Sequence, residues 1–178
     1  MSKYLQNIYH LFGFLIVLVF TFNITTHKLN VYKANDSAPI NPTTAEIEKT
    51  LNCLALNIYR EGANEPFESK VGIAQVTLNR VNHHAFPKDI CSVVYQKNII
   101  MEKVICQFSW YCDNNIKIKP IHKEAFDESM AVAKKVLLEG FRLDILKYSL
   151  YYHAVYINPN WPYKRVAKIG NHIFYNQR

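Results

Sequence analysis

With 178 residues, 49% hydrophobic and 13% aromatic, the chain holds enough apolar material for one good core, and no internal repeat or low-complexity run points to a solenoid or a disordered chain. A formal charge of +7 suits an anionic polymer. Nucleic acid is set aside as that polymer, because the Lys and Arg residues are dispersed and no recognised nucleic-acid motif accompanies them.

The only marked change of composition lies at the N-terminus, where Lys3 precedes the apolar run from Leu11 to Phe20, weakly extended by Phe22 and Ile24. Residues 1–27 read as a signal peptide or a membrane anchor. The run has the length of a signal-peptide core but no A-x-A-like cleavage site follows, and a full span normally needs about 20 apolar residues. Positive charge before the run keeps the N-terminus inside and places the rest outside the cytoplasm. Residues 28–42 form a polar linker, and one domain fills 43–178.

Ile47, Leu51, Leu54 and Ile58 recur at helical spacing, and the next member of the series is Glu61, an acid where an aliphatic residue is expected. Thr43 with Glu46 gives a capping-box start and Gly62 a stop directly after Glu61. A carboxyl on an apolar face loses hydration, which favours its protonated form and makes it a candidate general acid. The bland alternative is that Glu61 turns outward and caps the helix.

Pro66 then opens a second helix carrying Val71, Ala74, Leu78 and Val81, with Glu65 as an acid beside its positive end and Asn79 and Arg80 tied to nearby backbone. Asp89 starts a short helix through Gln96. Gln107 to Tyr111 reads as extended and aromatic, fenced by Cys106 and Cys112, and suited to one wall of a groove. His122 to Gly140 is an amphipathic scaffold helix with Phe126, Met130, Ala133 and Leu137 inward. Tyr148 to Ile157 is Tyr-rich, Asn158 to Pro162 turns, and Gly170-Asn171 joins Val166–Ile169 to His172–Tyr175 as a type II′ hairpin.

Four cysteines, Cys53, Cys91, Cys106 and Cys112, fit an exported protein with two disulfides, in any of three connectivities. A zinc site is weakly supported, since there is no C-x-x-C or H-E-x-x-H and the His residues are scattered.

The segment from Cys53 to Val81 resembles the signature of the SleB-like cell wall hydrolases, the spore-cortex-lytic enzyme catalytic domains. Tyr59, Glu61, Glu65 and Pro66 match its Y-x-E-A-R-G-E-P motif and Leu78 to Val81 its L-N-R-V, while Gly62, Ala63 and Asn64 depart from A-R-G. Further ordered blocks are similar: Phe86-Pro87 with Ile90 to Gln96, Cys106 to Asp113, and Tyr151 to Trp161 followed by Ile169 to Tyr175. The resemblance implies a lysozyme-like α+β single domain, predominantly α, with a short β region beside a sugar-binding groove. It implies Glu61 as the catalytic acid, and Gln107, Ser109, Trp110, Tyr152, His153 and His172 as substrate-binding residues. The expected reaction is cleavage of the β-1,4 bond between N-acetylmuramic acid and N-acetylglucosamine in peptidoglycan, as a lytic transglycosylase or a muramidase, by a monomer in the cell envelope without metal or organic cofactor. The membrane is a partner only through an uncleaved N-terminal segment. A stem-peptide amidase or peptidase, for instance with Cys53 as nucleophile, and a non-catalytic wall-binding module are the competing classes.

Overall fold

The computed structural model describes residues 42–177. The apolar N-terminal segment and all but the last residue of the linker lie outside the described residues. Among the described residues no helix is long and apolar enough to cross a membrane.

Helix α1 (Thr44–Gly62) begins at the expected capping box: the Thr43 hydroxyl accepts from the Glu46 N–H at 3.3 Å, and the Glu46 carboxylate accepts from the Thr43 N–H at 2.7 Å. Leu51, Leu54 and Ile58 are buried and Ile47 is half-buried against the same core. The helix ends at Gly62, where the glycine was expected to stop it, and the missing side chain also allows close packing on the next helix, since a Cβ there would stand 2.6 Å from Ile73 Cδ1.

That next helix, α2 (Phe67–Asn82), is buried on every side, with each residue from Ser69 to Leu78 inside. Pro66 is its N-cap rather than its first residue. A helix without a wet face occupies the centre of its domain, and α1, α3 (Ile90–Val94) and α5 (Lys123–Leu137) pack around it, with α4 (Asn114–Lys117) on the surface. Asp89 caps α3 by accepting from the Ser92 N–H at 2.8 Å. In α5 the fully buried line is Ser129, Val132, Ala133 and Val136, so the expected face is rotated by one residue and Phe126, Met130 and Leu137 only flank it. Ser129 is tolerated inside because its hydroxyl donates to the Ala125 carbonyl at 2.9 Å.

Two small sheets complete a predominantly helical α+β domain. Strands β1 (Lys97–Ile100) and β2 (Lys103–Cys106) form a hairpin whose turn residues, Met101 and Glu102, have φ of 48° and 62°. The segment expected to be extended after Cys106 instead winds into a 3-10 turn over Ser109–Tyr111. Strands β3 (Ser149–Ala154), β4 (Lys164–Ile169) and β5 (His172–Asn176) form an antiparallel sheet in the order β3-β5-β4. Gly170 has φ +56° while Asn171 has no positive φ, the pattern of the expected type II′ connection.

Polar side chains of α2 fasten the segment that leads into this sheet. Gln75 exchanges two hydrogen bonds with the Leu143 backbone at 2.8 and 3.0 Å, Asn79 donates to the carbonyls of Leu146 and Ser149 at 2.9 Å each, and Arg80 Nε donates to the Leu150 carbonyl at 2.8 Å. Disulfides join Cys53 to Cys91, tying α1 to α3, and Cys106 to Cys112, closing the loop around the 3-10 turn.

The sheet packs on α2 through a small cluster of Val76, Leu146 and Phe174. A Cβ on Gly72 would meet Phe174 Cζ at 2.6 Å and Leu146 Cδ1 at 3.1 Å. Gly72→Ala is therefore expected to lose roughly 1–3 kcal/mol to overpacking, offset by up to about 1 kcal/mol of helix propensity. Urea unfolding measures the balance; a variant more stable than the parent would contradict the close packing of the sheet on α2.

Candidate active site

Helix α1 points its C-terminal end at the β3-β5-β4 sheet, and between them opens a groove of about 450 Å³. Glu61 from α1 and Arg80 from α2 line it, Gln107 to Trp110 form one side, and Tyr151 to Ala154 with Trp161 and His172 form the other. All seven residues singled out in the sequence, Glu61, Gln107, Ser109, Trp110, Tyr152, His153 and His172, border this one cavity.

Glu61 stays in the apolar series of α1 and is only partly exposed, at the groove floor. The Tyr152 hydroxyl donates to Glu61 Oε2 at 3.2 Å. Burial pushes the Glu61 carboxyl up to about 7, against the opposing pull of the Tyr152 hydrogen bond and the Arg80 charge. Burial, followed by the nearby Glu61 charge, lifts the Tyr152 phenol well above its ordinary value, so it remains an O–H donor. A carboxyl balanced near neutrality can give up a proton and later take one back.

The other positions divide by geometry. Trp110 is 3% exposed and its indole N–H donates to Asn57 Oδ1 at 2.9 Å, while Asn57 donates to Thr77 Oγ1 at 3.3 Å. Its ring belongs to the core while still bordering the groove. Ser109 is exposed and Gln107 half-buried on the same wall. His153 uses both ring nitrogens, Nδ1 against the Ala154 carbonyl and Nε2 against the Tyr175 hydroxyl, each at 2.8 Å. Nδ1 carries a proton, since a carbonyl only accepts, and the ring is fixed in the wall.

His172 is buried with Nδ1 at 3.0 Å from Ser69 Oγ, and burial holds its pKa below the ordinary value although Glu65 pulls upward. Glu65 accepts from the Asn171 backbone N–H at 2.8 Å and its side-chain amide at 3.0 Å. Burial would raise this carboxyl, but the Asn171 bonds outweigh it and hold the net value low. Glu65 thus clamps the β4–β5 turn to the start of α2.

Sequence reasoning passed over part of the groove wall. Trp161 and Tyr156 border the groove with Trp161 38% and Tyr156 86% exposed, and Tyr151 lies behind them, stacked on Tyr163 at 4.1 Å. The signal was present as two exposed aromatics around the Asn-Pro-Asn turn between strands, where no core position explains them. Arg80, read as a backbone tie, is also a groove residue: its guanidinium carbon lies 4.9 Å from the Phe108 ring centre and 5.5 Å from that of Phe86. Cys53 is bonded to Cys91 and offers no thiol nucleophile. Among the described residues no group of three His, Cys, Asp or Glu side chains converges in a way that could hold a metal ion.

A helical domain with one acid in an aromatic groove fits what comparison shows. The chain belongs to the Cell Wall Hydrolase family, an enzyme family whose sequence model matches residues 64–175. The matched span starts just after Glu61, whose position in the groove rests on geometry. The spore cortex-lytic enzyme of Bacillus subtilis (strain 168) is 28% identical over 131 residues, covering 70% of this chain and 36% of that protein. The spore cortex-lytic enzyme of Oceanobacillus iheyensis is 26% identical over 135 residues, covering 71% and 41%. The chain thus spans well under half the length of these curated relatives. In structure it is similar to the catalytic domain of the Bacillus cereus SleB protein, with a TM-score of 0.55 at 22% identity over 79% of this chain and 99% of that one. The catalytic domain of the germination-specific lytic transglycosylase SleB from Bacillus anthracis gives a TM-score of 0.54 at 22% identity, over 78% and 100%.

The Glu61 environment has a stability consequence with a definite sign. An unfolded chain ionises this carboxyl near 4.5 and the folded one near about 7, so between those values the folded state holds more protons and stability falls as pH rises. The full difference corresponds to roughly 3 kcal/mol. Glu61→Gln should therefore be more stable than the parent at pH 8, and should lose that advantage at pH 4 in parallel urea titrations. An advantage that does not change with pH would contradict the perturbed carboxyl.

Proposed function

We propose that the groove cleaves the β-1,4 bond between N-acetylmuramic acid and N-acetylglucosamine of peptidoglycan as a lytic transglycosylase, with Glu61 as its single acid and base. The observation that carries this reading is that, among the described residues, Glu61 is the only carboxylate lining the groove. Hydrolytic glycosidases generally set two carboxyl groups at ~5–5.5 Å or ~6.5–9.5 Å across the scissile bond. The nearest acid in sequence, Glu65, is committed to the Asn171 turn.

Protonated Glu61 donates to the glycosidic oxygen as the bond to muramic acid C1 breaks, and the N-acetylglucosamine end leaves with that proton. The resulting carboxylate removes the proton from the muramic acid O6 hydroxyl, and O6 closes on C1 as a 1,6-anhydro ring. Protons balance without a water, and Glu61 ends as it began. Tyr152, donating to Oε2, steadies the carboxyl in both states and leaves Oε1 to face the substrate. The aromatic wall of Tyr156 and Trp161 suits sugar rings, and Gln107 and Ser109 suit their N-acetyl and hydroxyl groups.

Membership of the Cell Wall Hydrolase family and likeness to a protein described as a lytic transglycosylase support the same reading. It includes export of residues 43–178 by the N-terminal segment, an environment in which two disulfides are at home.

Digestion of purified sacculi tests the proposal. Soluble fragments should carry 1,6-anhydromuramic ends, and Glu61→Gln should keep fold and wall binding while release falls at least ~100-fold. Reducing muramic ends would replace the mechanism with hydrolysis, fragments cut in the stem peptide would replace the class, and undiminished release by folded Glu61→Gln would remove Glu61 from the chemistry.

A further inference from the structure

Arg80 is 3% exposed, its Nε is taken by the Leu150 carbonyl at 2.8 Å, and its Nη1 is buried with no hydrogen-bond partner. The ring faces of Phe108 and Phe86 hold the guanidinium in place. An unsatisfied N–H on a buried cation is destabilising, and its persistence asks for an acceptor that arrives only in another state of the site. Arg80 borders the same groove as Glu61 and is close enough for its charge to be felt there.

We propose that Arg80 is the positioning residue for the acid: the fixed buried cation that stabilises the Glu61 carboxylate during the interval between donating its proton and recovering one. This rests on Glu61 being the acid. When the proton leaves, a full negative charge appears in a site where protein has replaced water, and a preorganised charge there is far more effective than in solvent. Other groups near the groove fit the role less well. Arg60, adjacent in α1, also lines the groove with its Nε buried and unpartnered, but its Nη2 is tied to the carbonyls of Lys117 and Lys119 at 3.2 and 2.9 Å, and the charge felt at Glu61 is that of Arg80. Burial disfavours the charged form of His172, His153 has both nitrogens occupied, and Tyr151 and Tyr152 on β3 bring no positive charge. Arg80 needs no movement of the backbone to act, since β3 and two rings already fix it.

The test has an arm independent of catalysis. Urea unfolding of the parent, Arg80→Met, Glu61→Gln and the double variant forms a cycle at pH 8 and at pH 5. At pH 8, where Glu61 is ionised, Arg80→Met should cost more in the parent background than in the Glu61→Gln background. At pH 5, where Glu61 is neutral, the two costs should agree. The lost Leu150 bond and packing enter equally at both pH values and cancel. Coupling that is absent at pH 8, or equal at both, overturns the proposal whether or not Glu61 is the acid. The second arm is the pH profile of glycan release: Arg80→Met should lower kcat with KM little changed and move the ionisation of Glu61 to higher pH, and Arg80→Lys should restore its position. An unmoved profile in folded Arg80→Met overturns the role; loss of the profile's dependence on Glu61 would instead overturn the reading of the groove.

Discussion

Removing water from the Glu61 carboxyl penalises its ionised form more than its neutral one, and the remainder of the domain is arranged around that asymmetry. The apolar face of α1 carries the side chain inward, α2 presents Arg80, and β3 presents the Tyr152 hydroxyl at 3.2 Å. Each alone would produce a different residue. Burial without partners would keep the acid neutral at every working pH, and a direct ion pair would keep it charged. Their opposition leaves it near about 7, where donation and recovery of a proton are of similar ease.

Holding these three contributions in register is the work of the buried helix α2. It is packed on all sides, and its polar residues bond to the chain outside the helix instead of to water: Gln75 to Leu143, Asn79 to Leu146 and Ser149, Arg80 to Leu150, and Lys70 to Glu128 at 2.8 Å. All five of these partners, at positions 128, 143, 146, 149 and 150, lie in the stretch from α5 to β3 that delivers Tyr152 to the groove. Glu65 and Ser69 at the start of the same helix hold Asn171 and His172 of the facing hairpin. Opposite, the Cys106–Cys112 disulfide fixes the short turn bearing Gln107 and Ser109. One wall is thus referred to α2 and the other to its own disulfide, with the acid set between them.

Sequence carried the parts of this arrangement that follow from local periodicity and caps. The Ile47 to Glu61 series, the Thr43–Glu46 capping box, the Asp89 start and the Gly170–Asn171 turn are each decided by a few neighbouring residues, and Asn79 and Arg80 were legible as ties to backbone. What escaped depends on tertiary contact. Trp110 faces inward because Asn57, half the domain away in sequence, offers its indole an acceptor at 2.9 Å. Gly62 reads as a stop, but not as the place where a missing side chain also makes room for Ile73. The β1–β2 hairpin turns on Met101 and Glu102, neither a residue that announces a left-handed turn. The exposed aromatics Tyr156 and Trp161 acquire meaning only once the β3–β4 connection places them along the same groove as the acid. Family resemblance indicated Glu61 before the structure did, but only the groove explains why a carboxyl at that position is chemically useful.

The claim on which all of this turns is the protonation of one carboxyl. Selective 13C labelling of glutamate allows the side-chain carboxyl resonances to be followed from pH 3 to pH 9, with the Glu61 signal assigned by its absence in Glu61→Gln. The account predicts a midpoint of about 7 for that resonance. A midpoint at the ordinary 4.5 would show a solvated, permanently ionised carboxylate, and would contradict the account at its centre.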